Sequence, residues 1–175
     1  MSFMFGPTRN KCIRLSMFDY ATAGAYFVTV CVQERRCLFG EVRGAIMHLS
    51  TAGEMIRDAW CDLPRFDPRI QLDEFIVMPN HLHGIIVLDD TVSFRAGTRP
   101  APTVSLIDIM RIFKSMTTVE YIRGVHQKGW PPFQKHLWQR GYYEHVVRDE
   151  ADLHRIREYI QANPSNWEFD PENQP

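Results

Sequence analysis

Leu72-Asp73-Glu74-Phe75-Ile76-Val77-Met78-Pro79-Asn80-His81-Leu82-His83-Gly84-Ile85-Ile86-Val87-Leu88 is the stretch from which the fold can be read. Two runs rich in β-branched, aromatic and leucine residues, Leu72 to Val77 and His81 to Leu88, flank the turn-prone Met78-Pro79-Asn80. That pattern predicts two strands joined as a hairpin. Strand side chains alternate with period two, so His81 and His83 share one face while Leu82 and Ile86 share the other. A sheet that buries Leu82 and Ile86 on one side therefore carries a pair of imidazoles on its opposite side.

The neighbouring segments supply the rest of the sheet. Tyr26 to Val32 (YFVTVCV) has almost no polar residue, as expected of a strand covered on both faces. A helix is predicted from Ser50 or Thr51 to about Cys61, with Glu54 completing a capping box and Pro64 and Pro68 beyond its end. Residues 89–102 read as a polar loop. Leu106, Ile107, Ile109, Met110, Phe113, Val119 and Ile122 recur at helical spacing between Val104 and Arg123. Residues 124–141, with three glycines and two prolines, read as an irregular connection to a strand at Tyr142 to Val147. A last helix runs from Asp149, its cap, to Ala162 before Pro164. The order strand, helix, strand, strand, helix, strand, helix predicts an α+β chain with a ferredoxin-like or RNA-recognition-like antiparallel sheet. Residues 1–175 read as a single domain: an irregular arm (1–24), a core (25–165) and an acidic tail (166–175).

A chain of 175 residues can bury a substantial core without disulfides. Its four cysteines, Cys12, Cys31, Cys37 and Cys61, form no CxxC and are expected to be reduced thiols. The N-terminus has no apolar signal-like region, and no apolar run approaches the ~18 residues that span a bilayer. These features predict a cytoplasmic protein with no membrane partner. The formal net charge of -1 supplies no overall basic field, so any nucleic-acid affinity must be local.

Two chemical groups stand out. Two imidazoles on adjacent same-face strand positions, His81 and His83, can chelate one cation. On the last helix, Tyr159 and Asn163 lie four residues apart and so on one face. A phenol has a reference pKa of about 10 and is only ~0.1% ionised at pH 7. A divalent cation that neutralises a phosphate and stabilises the charge developing on attack makes such a phenol useful as a nucleophile. Attack by Tyr159 gives a phosphotyrosine link and a free hydroxyl end, and the reverse step needs no nucleotide hydrolysis. In keeping with this, the chain has no GxxxxGK[ST] motif. Tyr142 and Tyr143 are rival phenols by chemistry alone. The H-x-H-x-H pattern of histidine-triad nucleotide hydrolases fails at its third position, which is Ile85.

Together these motifs resemble those of a known family. His81-Leu82-His83, after the strand ending Met78-Pro79-Asn80, resembles the HUH motif of single-tyrosine transposases. Leu137-Trp138-Gln139-Arg140-Gly141-Tyr142-Tyr143-Glu144-His145-Val146-Val147-Arg148 resembles the WQ…(F/Y)-x-(D/E)-H-x-(I/V)-R segment of REP-associated tyrosine transposases. Glu158-Tyr159-Ile160 with Asn163-Pro164 is similar to their nucleophile helix. The resemblance covers roughly residues 20–165. It implies an HUH endonuclease fold, with the tyrosine helix packed over the face that carries the histidines. It also implies Mg2+ or Mn2+, a single-stranded DNA substrate with a REP-like hairpin, and a 5′-phosphotyrosine intermediate. Carried over by position, His81 and His83 are metal ligands, Tyr159 is the nucleophile and Asn163 is the third ligand, although many relatives outside this group place Gln there. Insertion-sequence relatives resemble dimers and REP-associated ones monomers, so monomer and homodimer both stand.

Binding residues follow from local charge. Between Val104 and Arg148 there are seven Lys or Arg against three acids, among them Arg111, Lys114 and Arg140. Arg9, Lys11 and Arg14 add to this in the arm, where the match to the family's hairpin-reading arm is loose. A locally basic face can grip phosphates, with Trp138, Trp130 or Phe133 available for base stacking. Two other readings are a hairpin-binding module of the same fold that no longer cuts, and a structural protein in which HxH is incidental.

Overall fold

The structure, a computed structural model, describes residues 22–89 and 104–173. In chain order it comprises β1 (Gly24–Cys31), β2 (Gly40–Arg43), β3 (Ile46–Leu49), α1 (Thr51–Cys61), β4 (Ile70–Val77), β5 (His81–Leu88), α2 (Leu106–Lys128), β6 (Tyr143–Val146) and α3 (Glu150–Ala162). Two 3-10 turns, Pro164–Phe169 and Pro171–Asn173, follow α3. Four strands form one antiparallel sheet in the order β4-β5-β1-β6. This is the predicted ferredoxin-like arrangement, with the two most apolar strands at the centre. Among the described residues no helix is long and apolar enough to cross a membrane.

Strand alternation divides the core into two layers. Tyr26, Val28 and Val30 of β1 and Leu82, Ile86 and Leu88 of β5 join the larger apolar cluster, together with Ile56 and Trp60 of α1 and Ile109, Met110 and Phe113 of α2. Phe27 and Ile85 face the other way and pack with Ile156 and Ile160 of α3. Helices α1 and α2 therefore cover one face of the sheet and α3 the other. A register shift between Leu72 and Phe75 keeps both of these residues on the α1/α2 side, although they are three positions apart. The bulge leaves Asp73 available to α3, whose Arg157 grips it with two hydrogen bonds, Nε to Oδ1 at 2.8 Å and Nη2 to Oδ2 at 2.6 Å.

Gly84 lets an indole lie against the sheet. A Cβ at this position would overlap the Trp60 ring, which is itself wedged against Phe113 and Phe75 at ring-centroid distances of 5.3 and 6.2 Å. Gly84→Ala is expected to cost about 1–3 kcal/mol by overpacking, read as a lower denaturant midpoint. An unchanged midpoint would show that the ring can move aside.

Several boundaries differ from the sequence reading, each for a local reason. Ser50 caps α1 by accepting from Gly53 N at 3.2 Å, so Glu54 sits one residue too far along to close a capping box. The box occurs instead at α2, between Ser105 and Asp108. Helix α2 continues past Gly124, because that position must be bare for Trp130 to pack there. It stops at Gly129, whose φ of 69° is the left-handed cap. The β2–β3 hairpin was not anticipated; its turn is Gly44-Ala45, both at positive φ. Residues 166–173 of the expected acidic tail fold back onto the sheet, with Asp170 and Glu172 buried.

Candidate active site

His81 and His83 lie side by side on β5, on the α3 face, with ring centroids 4.3 Å apart and essentially no exposure. Hydrogen bonding fixes what the His81 ring offers. The Asn80 amide nitrogen donates to the carbonyls of Arg35 and Glu172, at 3.0 and 2.8 Å, so its Oδ1 is left as an acceptor. His81 Nδ1 lies 2.8 Å from that oxygen and must carry the proton. Its Nε2 is then a bare lone pair, buried and without a hydrogen-bond partner. His83 Nδ1 lies 2.8 Å from Thr29 Oγ1, its cross-strand neighbour on β1. With that nitrogen as donor, His83 Nε2 also offers a lone pair to the same side.

Burial keeps both rings neutral. It lowers the His81 pKa well below the ordinary value, helped by His83 and Arg35, and pushes His83 down to about 3. Neutral imidazoles whose second nitrogen is held by an oxygen are poised as metal ligands.

Helix α3 brings Tyr159 over this pair. Its hydroxyl is 3.4 Å from His83 Nε2, and its ring meets His83 at 5.2 Å and Phe27, edge-on, at 6.1 Å. The helix is held at three points. Asp149 caps it by accepting from Asp152 N at 2.8 Å, and Arg157 ties its middle to Asp73. At its first turn, Asp152 accepts from His145 Nε2 at 2.8 Å and from Arg148 N at 3.1 Å. Burial by itself would raise the Asp152 carboxyl, but the bonds from His145, Arg148 and Arg155 outweigh it and hold the group at about 2. The motif residue His145 thus fastens β6 to the helix that carries Tyr159. Burial, followed by the Asp170 and Glu172 carboxylates, raises the Tyr159 phenol above its ordinary value.

A residue the sequence reading passed over completes the cluster. Among the described residues, His81, His83 and Asp170 are three buried groups whose ligand atoms all lie within 4.8 Å of one another. Asp170 stands between the two 3-10 turns after α3. Its Oδ2 accepts from the Asn163 amide at 2.7 Å and its Oδ1 from Glu172 N at 2.6 Å. Asn163, the expected third ligand, is buried at the end of α3 with its Oδ1 lacking a hydrogen-bond partner. Two nitrogens, one of them the orphaned His81 Nε2, and one or two oxygens form a donor set that could hold a divalent cation.

The other phenols separate cleanly. Tyr142 packs into the cluster on the α1/α2 side, away from the histidines. Tyr143 pairs with Thr29 and faces the α3 side, 6.2 Å from Phe27.

The nucleic-acid residues meet a different outcome. Trp138 is buried: its Nε1 donates to Thr117 Oγ1 at 2.9 Å and its ring packs against Phe39 and Phe113, which corrects the expectation of base stacking. Lys114 donates to the carbonyls of Gln139 and Gly141 and so secures the connection after α2. Arg111 is exposed and pairs with Asp108 at 3.2 Å, and Arg140 is exposed. Arg111 and Lys114 ride on α2, across the sheet from the histidines. Arg9, Lys11 and Arg14 lie outside the described residues. The described thiols Cys31, Cys37 and Cys61 are free.

The family described as "Transposase IS200 like" matches residues 26–163. The chain is 37% identical to an uncharacterized protein of Haemophilus influenzae, over 94% of this chain and 93% of that one. It is 26% identical to the REP-associated tyrosine transposase of Escherichia coli K12, over 86% of this chain and 77% of the relative. Among solved structures it resembles a REP-associated tyrosine transposase bound to a REP hairpin, with a TM-score of 0.57 and 23% identity. That likeness covers 86% of this chain and 72% of the other and concerns the fold.

Proposed function

This chain belongs to the family of IS200-like transposases, and from that membership we propose that it cuts and rejoins single-stranded DNA beside a hairpin, with Tyr159 as nucleophile. The observation that carries the proposal is the convergence of a helix-borne phenol on two neutral strand histidines, with the hydroxyl 3.4 Å from His83 Nε2. His81 and His83 would hold Mg2+ or Mn2+, with an oxygen ligand such as Asn163 Oδ1. The bound cation supplies charge neutralisation at the scissile phosphate and at the oxygens of the in-line transition state.

The protein's own groups do the rest. The phenol oxygen of Tyr159 attacks phosphorus, the bond from phosphorus to the 3′ oxygen breaks, and the phenol proton ends on the released 3′ hydroxyl. The product is a 5′-phosphotyrosine. Attack by another strand's 3′ hydroxyl reverses the balance and rejoins DNA, with the phosphodiester energy conserved. Asn80 keeps His81 in the ligating tautomer, and Thr29 Oγ1 can accept from His83 Nδ1 to put His83 in the same state. The clamps of α3 on Asp73 and His145 fix the distance from phenol to ring.

A hairpin substrate is supported by the REP-associated relative and by the hairpin in the neighbouring structure. For this chain it is tested with a labelled single strand that contains a hairpin. Cleavage is expected with Mg2+ or Mn2+ and none with EDTA, and binding should weaken with salt at a slope equivalent to several phosphates. Metal-independent cutting or a flat salt profile would contradict the proposal.

A further inference from the structure

We propose that Asp170 is itself a ligand of the metal centre, so that the segment after the nucleophile helix is a structural part of the site. This rests on the metal-dependent reading above and adds to it a carboxylate ligand delivered from outside the Tyr159 helix. Three observations carry it.

The first is position: an Asp170 oxygen lies within 4.8 Å of both histidine ligand atoms, and all three residues are buried. The second is the orphaned His81 Nε2, an unpartnered lone pair in that same cluster. The third is charge. Asp170 and Glu172 are 4% and 2% exposed, yet the ion pair among the described residues here is from Arg35 to Glu172, at 3.3 Å. Glu172 also accepts from the Cys31 thiol at 3.1 Å. Asp170 takes its hydrogen bonds from neutral donors, the Asn163 amide and the Glu172 backbone, with the Arg35 guanidinium acting on it from farther off. A buried carboxylate whose hydrogen bonds come from neutral groups, and which shares the Arg35 charge with the equally buried Glu172, favours a further cation beside it.

The segment is built to present this carboxylate. Asn80, whose Oδ1 sets the His81 tautomer, donates its amide to Glu172 O, so one side chain ties the histidine to the returning chain. Arg35 Nη1 holds the Pro171 carbonyl at 2.6 Å. The Trp167 ring lies tilted against His81, with centroids 6.0 Å apart. Each Asp170 oxygen accepts a single hydrogen bond and keeps a lone pair. Two imidazoles and a carboxylate carry a negative charge that two imidazoles and an amide lack, and a carboxylate oxygen suits Mg2+ and Mn2+ alike.

The test is direct binding of Mn2+ to the full chain without DNA, read from loss of the free-ion electron paramagnetic resonance signal. The variants are Asp170→Asn, His81→Ala and, as a control for packing of the segment, Glu172→Gln. Hydrogen exchange of residues 164–173 is followed with and without Mn2+. We expect Asp170→Asn to weaken Mn2+ binding by about 10- to 100-fold and Glu172→Gln to change it by less than about threefold. Mn2+ should slow exchange of the segment in the parent chain but not in Asp170→Asn. If His81→Ala loses Mn2+ while Asp170→Asn keeps it, the Asp170 assignment is overturned and the histidine centre stands. Equal weakening by Asp170→Asn and Glu172→Gln would reduce Asp170 to packing and overturn it too. If the parent chain binds no Mn2+, both readings fall.

Discussion

Tyr159→Phe is expected to slow cleavage of a hairpin-bearing single strand by roughly 10^4-fold or more, the scale seen when a nucleophile is removed, while DNA binding stays within about threefold. The substitution is unusually clean. The ring keeps its edge contact with Phe27 and its packing against His83, and the hydroxyl's contact to His83 is a long one at 3.4 Å. Helix α3 stays fixed by the Arg157–Asp73 and His145–Asp152 contacts, neither of which involves the phenol. Loss of cutting with intact binding therefore isolates the oxygen nucleophile. Undiminished cleavage by the variant would remove Tyr159 from the chemistry and turn attention to Tyr143 on the same face of the sheet.

The second large effect concerns the imidazoles. His81→Ala or His83→Ala should abolish the response to divalent ions, both as cleavage, by roughly 10^3-fold or more, and as ion-induced stabilisation. The two readouts matter because His83 is also core. It stacks on Phe27 at 5.5 Å, so its removal leaves a cavity that lowers stability with or without metal. The informative quantity is thus the rise in Tm on adding Mn2+, compared within each variant. We expect a rise in the parent chain and none in either variant. Cutting that survives EDTA, or an equal Mn2+ shift in all three proteins, would contradict a histidine metal centre.

Much of this site is legible in the sequence. Period-two arithmetic put His81 and His83 on one face and Leu82 and Ile86 on the other, and the sheet confirms it. The apolar run of β1 announced a strand covered on both sides, and the family resemblance implied that the tyrosine helix packs over the histidine face. Spacing on α3 brought Tyr159 and Asn163 to one face. The parts that escaped depend on contacts between distant residues. Nothing periodic marks Pro164 to Asn173, so its acids read as a solvated tail; only the folded chain reveals Asp170 against β5. Trp138 looked like a stacking platform because aromatic residues near arginines suit that role. Its partners Phe39 and Phe113 lie far away in sequence, and they bury it. Gly124 read as a break because a glycine's usual effect on a helix is local, whereas here it makes room for Trp130.

The proposed chemistry requires a covalent bond between one particular oxygen of this protein and a DNA 5′ phosphate. The direct measurement is to incubate the chain with Mn2+ and a hairpin-bearing single strand, denature, digest and locate the modified residue by mass spectrometry. The account requires a nucleotide joined through its 5′ phosphate to Tyr159. An adduct on Tyr143, or efficient strand cutting with no covalent adduct at all, would contradict it.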